Sequence, residues 1–311
     1  MKMTKVIVVI GPTSVGKTKM GVQLAKELDG EIISGDSMQI YQGMDIGTAK
    51  VTKEEMEGIV HHLIDVKSPD EIYSVKDFQD EVRYWIDDIS RRGKVPIIVG
   101  GTGLYIKAAL YDYEFSDSEI DHDVFKEKYK DFSNEQLYEH LQSIDEKSAQ
   151  QLHFNNRQRV LRAIEIFELT GQKKSDMIDK QEHVCLYDAY FVGLTIERQK
   201  LYERINQRVD IMIQNSLENE VKHLYDLGYH RHMQSMKAIG YKEWFDYFDG
   251  EKEYEDVIEL IKKNSRNYAK RQYTWFKNQF DVHWYDVDLN CFDNTVQDVI
   301  EDIEKLNHFL R

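Results

Sequence analysis

The chain has 311 residues, with 41 Lys+Arg against 56 Asp+Glu and a formal net charge of −15. Nucleic-acid binding is mostly cation-driven, so composition alone points to an enzyme of small molecules and away from a nucleic-acid binder. With 41% hydrophobic and 31% charged residues, the chain can bury a core and is not disordered by composition. Its two cysteines, Cys185 and Cys291, exclude a disulfide framework and a zinc-ligand cluster and suit a reducing compartment. The apolar run Val6–Ile10 is too short for a signal peptide or a membrane span, so a cytoplasmic protein is expected.

Taken in chain order, residues 5–10 are a β-branched run of the kind that forms a buried parallel strand. Gly11–Thr18 is a turn. Met20, Leu24, Ala25 and Leu28 then fall at helical spacing, and Gly30 ends that helix. Glu31–Ser34 reads as a second strand leading to Asp36. Val75, Phe78, Val82, Trp85, Ile86 and Ile89 predict an amphipathic helix over 75–90, and Val95–Val99 a third strand closed by Gly100 and Gly101. This alternation predicts an α/β fold, a P-loop NTPase-like parallel sheet with helices on both faces.

After about residue 112 the texture changes. Residues 114–123 hold five acids and no Lys or Arg, and the following sixty residues read as helices. Tyr187–Leu194 returns as a strand, and the chain from Arg198 onward is mostly helical. Residues 113–186 are therefore expected to form a helical domain inserted into a core made of 1–112 and 187–311.

The most specific signal is Gly11-Pro12-Thr13-Ser14-Val15-Gly16-Lys17-Thr18, which fits G-x-x-x-x-G-K-[ST] between a strand and a helix. In such a loop backbone amides surround phosphate oxygens, the Lys reaches the outer phosphates and the Thr hydroxyl suits Mg²⁺. The motif implies a diphosphate or triphosphate ligand and does not choose between them. Asp36, at a strand's carboxyl end, reads either as a general base facing this loop or as an exposed loop acid or helix cap, with Ser37 and Gln39 nearby. The third strand ends in Gly100-Gly101-Thr102-Gly103 where ATPases usually carry an Asp, although Asp36 could stand in for it. Those glycines suit either close approach to a ligand, with Thr102 offering a hydroxyl, or a plain turn. His61 and His62 read as satisfied loop or core residues, since no Cys or His partner has ligand spacing.

Basic residues gather in two places. Arg157, Arg159 and Arg162 share one predicted helix with Gln158. Residues 262–277 carry Lys262, Lys263, Arg266, Lys270, Arg271 and Lys277 with no acid, a +6 window in a chain whose remainder sums to −21. Tyr268, Tyr273, Trp275 and Phe276 interleave, so the stretch reads as a nucleic-acid groove with base stacking or as a solvated helix face over core aromatics.

Assembled, these residues resemble the bacterial tRNA dimethylallyltransferases (tRNA isopentenyltransferases). The resemblance rests on the P-loop, Asp36–Tyr41, Met44–Lys50, His61–Asp65, Gly100–Tyr105, Asn156–Arg162, Gly240-Tyr241 and Lys270–Phe276, in the family's order from residue 11 to 276. It implies transfer of a dimethylallyl group from dimethylallyl diphosphate to N6 of adenosine 37, in the anticodon loop of tRNA. It implies that the P-loop holds this diphosphate with Mg²⁺, and that the inserted domain clasps tRNA. By the same resemblance Asp36 is the base, Thr102 approaches the reacting amine, and Lys17, Thr18 and Arg208 stabilise the diphosphate. Asp36, Ser37, Met38 and Gln39 would meet the flipped-out adenine, while Gln158, Arg159, Val160, Leu161 and Arg162, with Lys270 and Arg271, would contact tRNA. Many members carry an arginine early in the insertion where this chain has its acidic run, and the two cysteines leave no room for the zinc finger of longer eukaryotic relatives. A monomer without a protein partner is expected. The second reading is a P-loop kinase of a nucleoside or small metabolite, which would need no basic–aromatic stretch.

Overall fold

A computed structural model describes residues 3–113, 125, 127–180 and 183–306. The acidic run at 114–123, and with it the question of the early arginine, lies outside the described residues.

The chain divides into two compact units, Met1–Leu110 with Cys185–Arg311, and Tyr111–Val184. The first is built on β1 (Lys5–Ile10), α1 (Lys17–Glu27), β2 (Gly30–Ser34), α2 (Lys53–Met56), β3 (His61–His62), α3 (Val75–Arg91), β4 (Val95–Val99) and α4 (Gly103–Leu110). The second holds α5 (Asn134–Ile144), α6 (Glu146–Gln150), α7 (Arg157–Thr170) and α8 (Lys174–Lys180). The first resumes with β5 (Asp188–Thr195), α9 (Arg198–Gln214), α10 (Leu217–Asp226), α11 (Trp244–Phe248), α12 (Tyr254–Gln279), β6 (His283–Asp286) and α13 (Phe292–Lys305).

The strands form one sheet in the order β3-β2-β4-β1-β5-β6, and every pairing is parallel. β1 is central, with Ile7 opposite Ile97 on one side and Tyr190 on the other. Its residues Val6–Ile10 are all fully buried, because a parallel strand between helical layers must be apolar on both faces. Ile7 and Val9 join Met20 and Leu24 of α1 and Val299 and Ile303 of α13 in one core. Alternation sends Val6, Val8 and Ile10 to the opposite face.

Two strands have no counterpart in the sequence reading. β3 is only two residues long, and β6 reads His-Trp-Tyr-Asp, half exposed and without β-branched residues. Both lie at sheet edges, where the burial that writes a hydrophobic pattern is weakest. β3 also accounts for the histidine pair. His62 stacks on Trp85 at 3.8 Å and hydrogen-bonds Glu31 at 2.8 Å, while His61 Nδ1 lies 2.9 Å from the Ile59 carbonyl. The two histidines are thus satisfied structural residues.

In the second unit Phe125, Tyr129, Leu137, Leu141, Ala149, Val160, Ala163 and Ile164 make a separate core. Arg157, at the start of α7, donates to the carbonyls of Phe132 at 2.6 Å and Tyr129 at 2.7 Å. Buried Asp145 accepts from the hydroxyl and amide of both Ser148 and Ser175.

Candidate active site

The phosphate loop leaves β1 through Gly11, whose φ of +147° and close approach to Leu194 would place any Cβ 2.6 Å from that residue's carbonyl oxygen. Gly16, at φ +111°, has the Phe292 ring where a side chain would stand. α2 and α3 each begin with a complete capping box, whereas α1 has neither a side-chain cap nor an acid in its first turn. Its leading amides, backed by the helix dipole, are therefore left for an anion.

The Lys17 ammonium donates to the Pro12 carbonyl at 2.8 Å. Burial, and then the Arg208 guanidinium, lower it to about 7, against the opposing pull of Asp36. Arg208 itself is lowered by burial, with Glu55 and Asp36 acting the other way. This cluster of cations lacks a full complement of acids, as expected of a site completed by an anionic ligand.

Opposite the loop, β2 delivers Asp36. Met38 N–H donates to Asp36 Oδ1 at 2.8 Å, so the carboxylate caps its own turn and is oriented by it. Ser37 N–H donates to Thr102 Oγ1 at 3.1 Å, and Thr102 N–H to the Gly35 carbonyl at 3.2 Å. The glycines on either side of Thr102 make this possible, though by packing within the protein: a Cβ would meet Gly35 at Gly100, Gln272 at Gly101 and Trp275 at Gly103.

Two cavities share Thr13, Ser14, Asp36, Thr48 and Arg208. The first, about 510 Å³, holds Lys17, Thr18 and Glu55, with Ile32, Val51, Ile64 and Val99 as apolar lining. The second, about 320 Å³, is lined by Ser37 and Met38, by apolar Ile205, Val209, Met212 and Ile261, and by Lys237, Lys242 and Arg271. Gln39 borders the first, where its amide also donates to the Thr48 and Ala49 carbonyls. No cluster of three His, Cys, Asp or Glu suited to a metal exists among the described residues. The Thr18 hydroxyl is the hard oxygen that the loop offers a Mg²⁺ ion, and in phosphate sites such an ion takes most of its other ligands from substrate and water.

The structure separates the residues expected to meet tRNA. Val160 is fully buried in the core of the second unit, whereas Gln158, Arg159 and Arg162 on the same helix are exposed. Leu161 packs partly against the same core. The basic run on α12 is also divided. Lys262 pairs with Asp210 at 2.8 Å and Arg266 donates to Asn206 at 2.6 Å, while Lys263, Lys270, Arg271 and Lys277 stay exposed. Its aromatics are not a stacking ladder: Phe276 is core and Trp275 fills the space beside Gly103.

Sequence reading named Tyr268 only as an aromatic of the basic stretch and missed Gln272, Glu220, Lys237 and Lys242. Tyr268 lines the second cavity and shares hydrogen bonds with Thr102 and Gln272; burial, then the Asp36 carboxylate, raises its phenol well above the ordinary value. Gln272 is buried and accepts from Thr13 N–H at 2.8 Å. Glu220 accepts from the amides of Asp45, Ile46 and Gly47 at 3.0, 2.8 and 3.1 Å and from the Tyr241 hydroxyl at 2.5 Å, fixing the segment beside Thr48. Lys237 and Lys242 add charge to the second cavity. Only Tyr268 and Gln272 lay inside or beside a recognised block; Glu220, Lys237 and Lys242 carry no local pattern.

The fold and site define a P-loop α/β protein whose glycine-rich loop opens beside an apolar, basic-edged cavity. The sequence pattern of the family described as IPP transferase matches residues 39–279. A tRNA dimethylallyltransferase of Anoxybacillus flavithermus is 52% identical over 306 residues, covering 98% of each chain. A crystal structure of the tRNA isopentenylpyrophosphate transferase from Bacillus halodurans is 46% identical, with a TM-score of 0.73 over 98% of this chain and 99% of that one. A eukaryotic dimethylallyltransferase crystallised acting on tRNA is 31% identical, with a TM-score of 0.85 over 97% of this chain and 79% of that one. The chain belongs to the IPP transferase family.

Proposed function

We propose that this protein transfers the dimethylallyl group of dimethylallyl diphosphate to N6 of adenosine 37 in tRNA and releases diphosphate. The observation that carries the reading is the position of Asp36 at the junction of a phosphate-binding cavity and a separate apolar, basic-edged one. A kinase would also seat its acceptor in the second cavity, but it needs no edge of Lys237, Lys242 and Arg271 there.

The adenine amine is a poor nucleophile, because its lone pair is delocalised into the ring. Asp36, held by Met38 N–H, takes its proton as it attacks the prenyl carbon. Thr102 and Tyr268 flank the amine. The amides of the P-loop, Lys17 and Arg208 receive the charge that develops on the leaving diphosphate. Bound Mg²⁺, held by Thr18 and by the diphosphate itself, would neutralise part of that charge. The second cavity receives an extruded base, as a stacked adenine keeps its amine out of reach. Lys237, Lys242 and Arg271 take the adjoining phosphates, and the exposed face of α7, with Arg159 and Arg162, clasps tRNA elsewhere. No helix among the described residues is long and apolar enough to cross a membrane.

Labelled dimethylallyl diphosphate and γ-labelled ATP, each incubated with unmodified tRNA and Mg²⁺, separate the readings. Label enters tRNA from the prenyl donor alone. Transfer from ATP with none from the prenyl donor refutes the proposal.

A further inference from the structure

The second cavity is walled by two loops that lie far apart in the chain. One is Gly47, Thr48 and Ala49; the other is Lys237–Gly240 with Lys242. Neither is part of the sheet, so strand pairing does not set the distance between them. A single carboxylate from α10 joins them. Glu220 Oε2 accepts from the amides of Asp45 and Ile46, and Oε1 from the Gly47 amide and the Tyr241 hydroxyl. Successive backbone amides of this kind form an anion-binding hollow, here filled by the protein's own side chain. The loops also meet closely. A Cβ on Gly47 would stand 2.4 Å from the fully buried Tyr241 ring, and one on Gly240 would stand 3.6 Å from Gly47 Cα. Burial, with the Glu220 carboxylate beside it, pushes the Tyr241 phenol up, so it stays a donor. From Gly47 the connection runs on to the reacting group. Gln39 Nε2 donates to the Ala49 carbonyl at 3.2 Å and the Thr48 carbonyl at 3.4 Å, and Gln39 directly follows Met38, whose N–H orients Asp36.

We infer that Glu220 is a positioning residue for the base: it ties the Gly47–Ala49 wall to the Lys237–Lys242 wall and so sets where the extruded adenine stands relative to Asp36. The inference rests on the reading of the second cavity as the seat of that adenine. Glu220 lines neither cavity, so it touches no substrate and acts only through the two loops. Its removal would leave four donors without their acceptor at once, which frees both walls together. The phosphate loop has no hydrogen bond to Glu220, so the effect falls on the tRNA half of the reaction.

The test compares the full-length wild type with Glu220→Ala and with Glu220→Gln, which keeps the volume but turns an amide nitrogen toward two of the four donors. Steady-state prenyl transfer to unmodified tRNA gives kcat and the KM for tRNA. Calorimetric titration with inorganic pyrophosphate and Mg²⁺ reports on the phosphate loop in the same preparations. In both variants kcat falls about tenfold or more and the KM for tRNA rises, because a small misplacement of reacting groups is costly. Pyrophosphate affinity stays within about twofold of wild type, which a general loss of structure would not allow. If Glu220→Ala destabilises the fold, the isosteric Glu220→Gln carries the test. Unchanged kcat and KM, or pyrophosphate affinity lost in parallel with kcat, overturns the role and leaves Glu220 a structural anchor only. Wild type that binds pyrophosphate but prenylates no tRNA would overturn the reading of the site itself, an outcome distinct from the failure of Glu220.

Discussion

Asp36 and Lys17 make separable demands on the reaction. Asp36→Asn preserves the shape of the turn and removes the proton acceptor, so turnover is expected to fall by about 10²–10⁴ while tRNA affinity holds. Rapid-quench turnover beside filter binding checks this; near-normal turnover would remove Asp36 from the base role. Lys17 predicts a pH dependence. It must be an ammonium to hold diphosphate, and in the free enzyme its proton is held only to about 7. Affinity for the prenyl diphosphate is therefore full below that pH and declines as pH rises through it, approaching tenfold per unit. Lys17→Met should bind weakly at every pH, without that slope. A flat wild-type profile between pH 6.5 and 9 would contradict the account. The P-loop and Asp36 were legible because they lie in short local patterns. Gln272 was not, because its partners Thr13 and Gly101 are far away in the chain and only the fold brings them together.

The elements divide between those that hold the site and those proposed to contact RNA. Arg159→Ala with Arg162→Ala on α7 should weaken tRNA binding and lower its salt slope by about one to two. An unchanged slope would remove α7 from the interface. Arg157 belongs to a different class, since its guanidinium satisfies the Phe132 and Tyr129 carbonyls and its loss should lower stability. At the sheet edge, the Arg92 guanidinium first, with His62, holds Glu31 down to about 2. A depressed carboxylate stabilises the fold above its ordinary range, and that contribution disappears as pH falls towards 2. Thermal unfolding of Glu31→Gln should depend less on pH between about 5 and 2.5 than that of wild type; parallel curves would contradict this. The buried strands β1, β2, β4 and β5 were readable because burial on both faces writes continuous apolar runs. β3 and β6 were not, because an edge strand is specified by its neighbours more than by its own residues.

For the whole molecule, the net charge of −15 argued against nucleic acid, and the family to which the chain belongs argues the reverse. Net charge describes the field far from the surface, whereas RNA binding needs only a local strip. The cations beside the site are also not the ones that composition singles out. Two of the six cations in the basic window, Lys262 and Arg266, are engaged within the protein, while Lys237 and Lys242, outside it, line the second cavity beside Arg271. The central claim is an alkylation at one adenosine, performed by Asp36 between two cavities. Mass spectrometry of ribonuclease fragments tests it most directly, using an unmodified tRNA transcript after reaction with wild type or Asp36→Asn, with dimethylallyl diphosphate, ATP and Mg²⁺ all present. The account predicts a dimethylallyl gain on the fragment holding adenosine 37 with wild type, and none with Asp36→Asn under the same conditions. A phosphate gain, a prenyl gain elsewhere, or an equal gain with both proteins would contradict it.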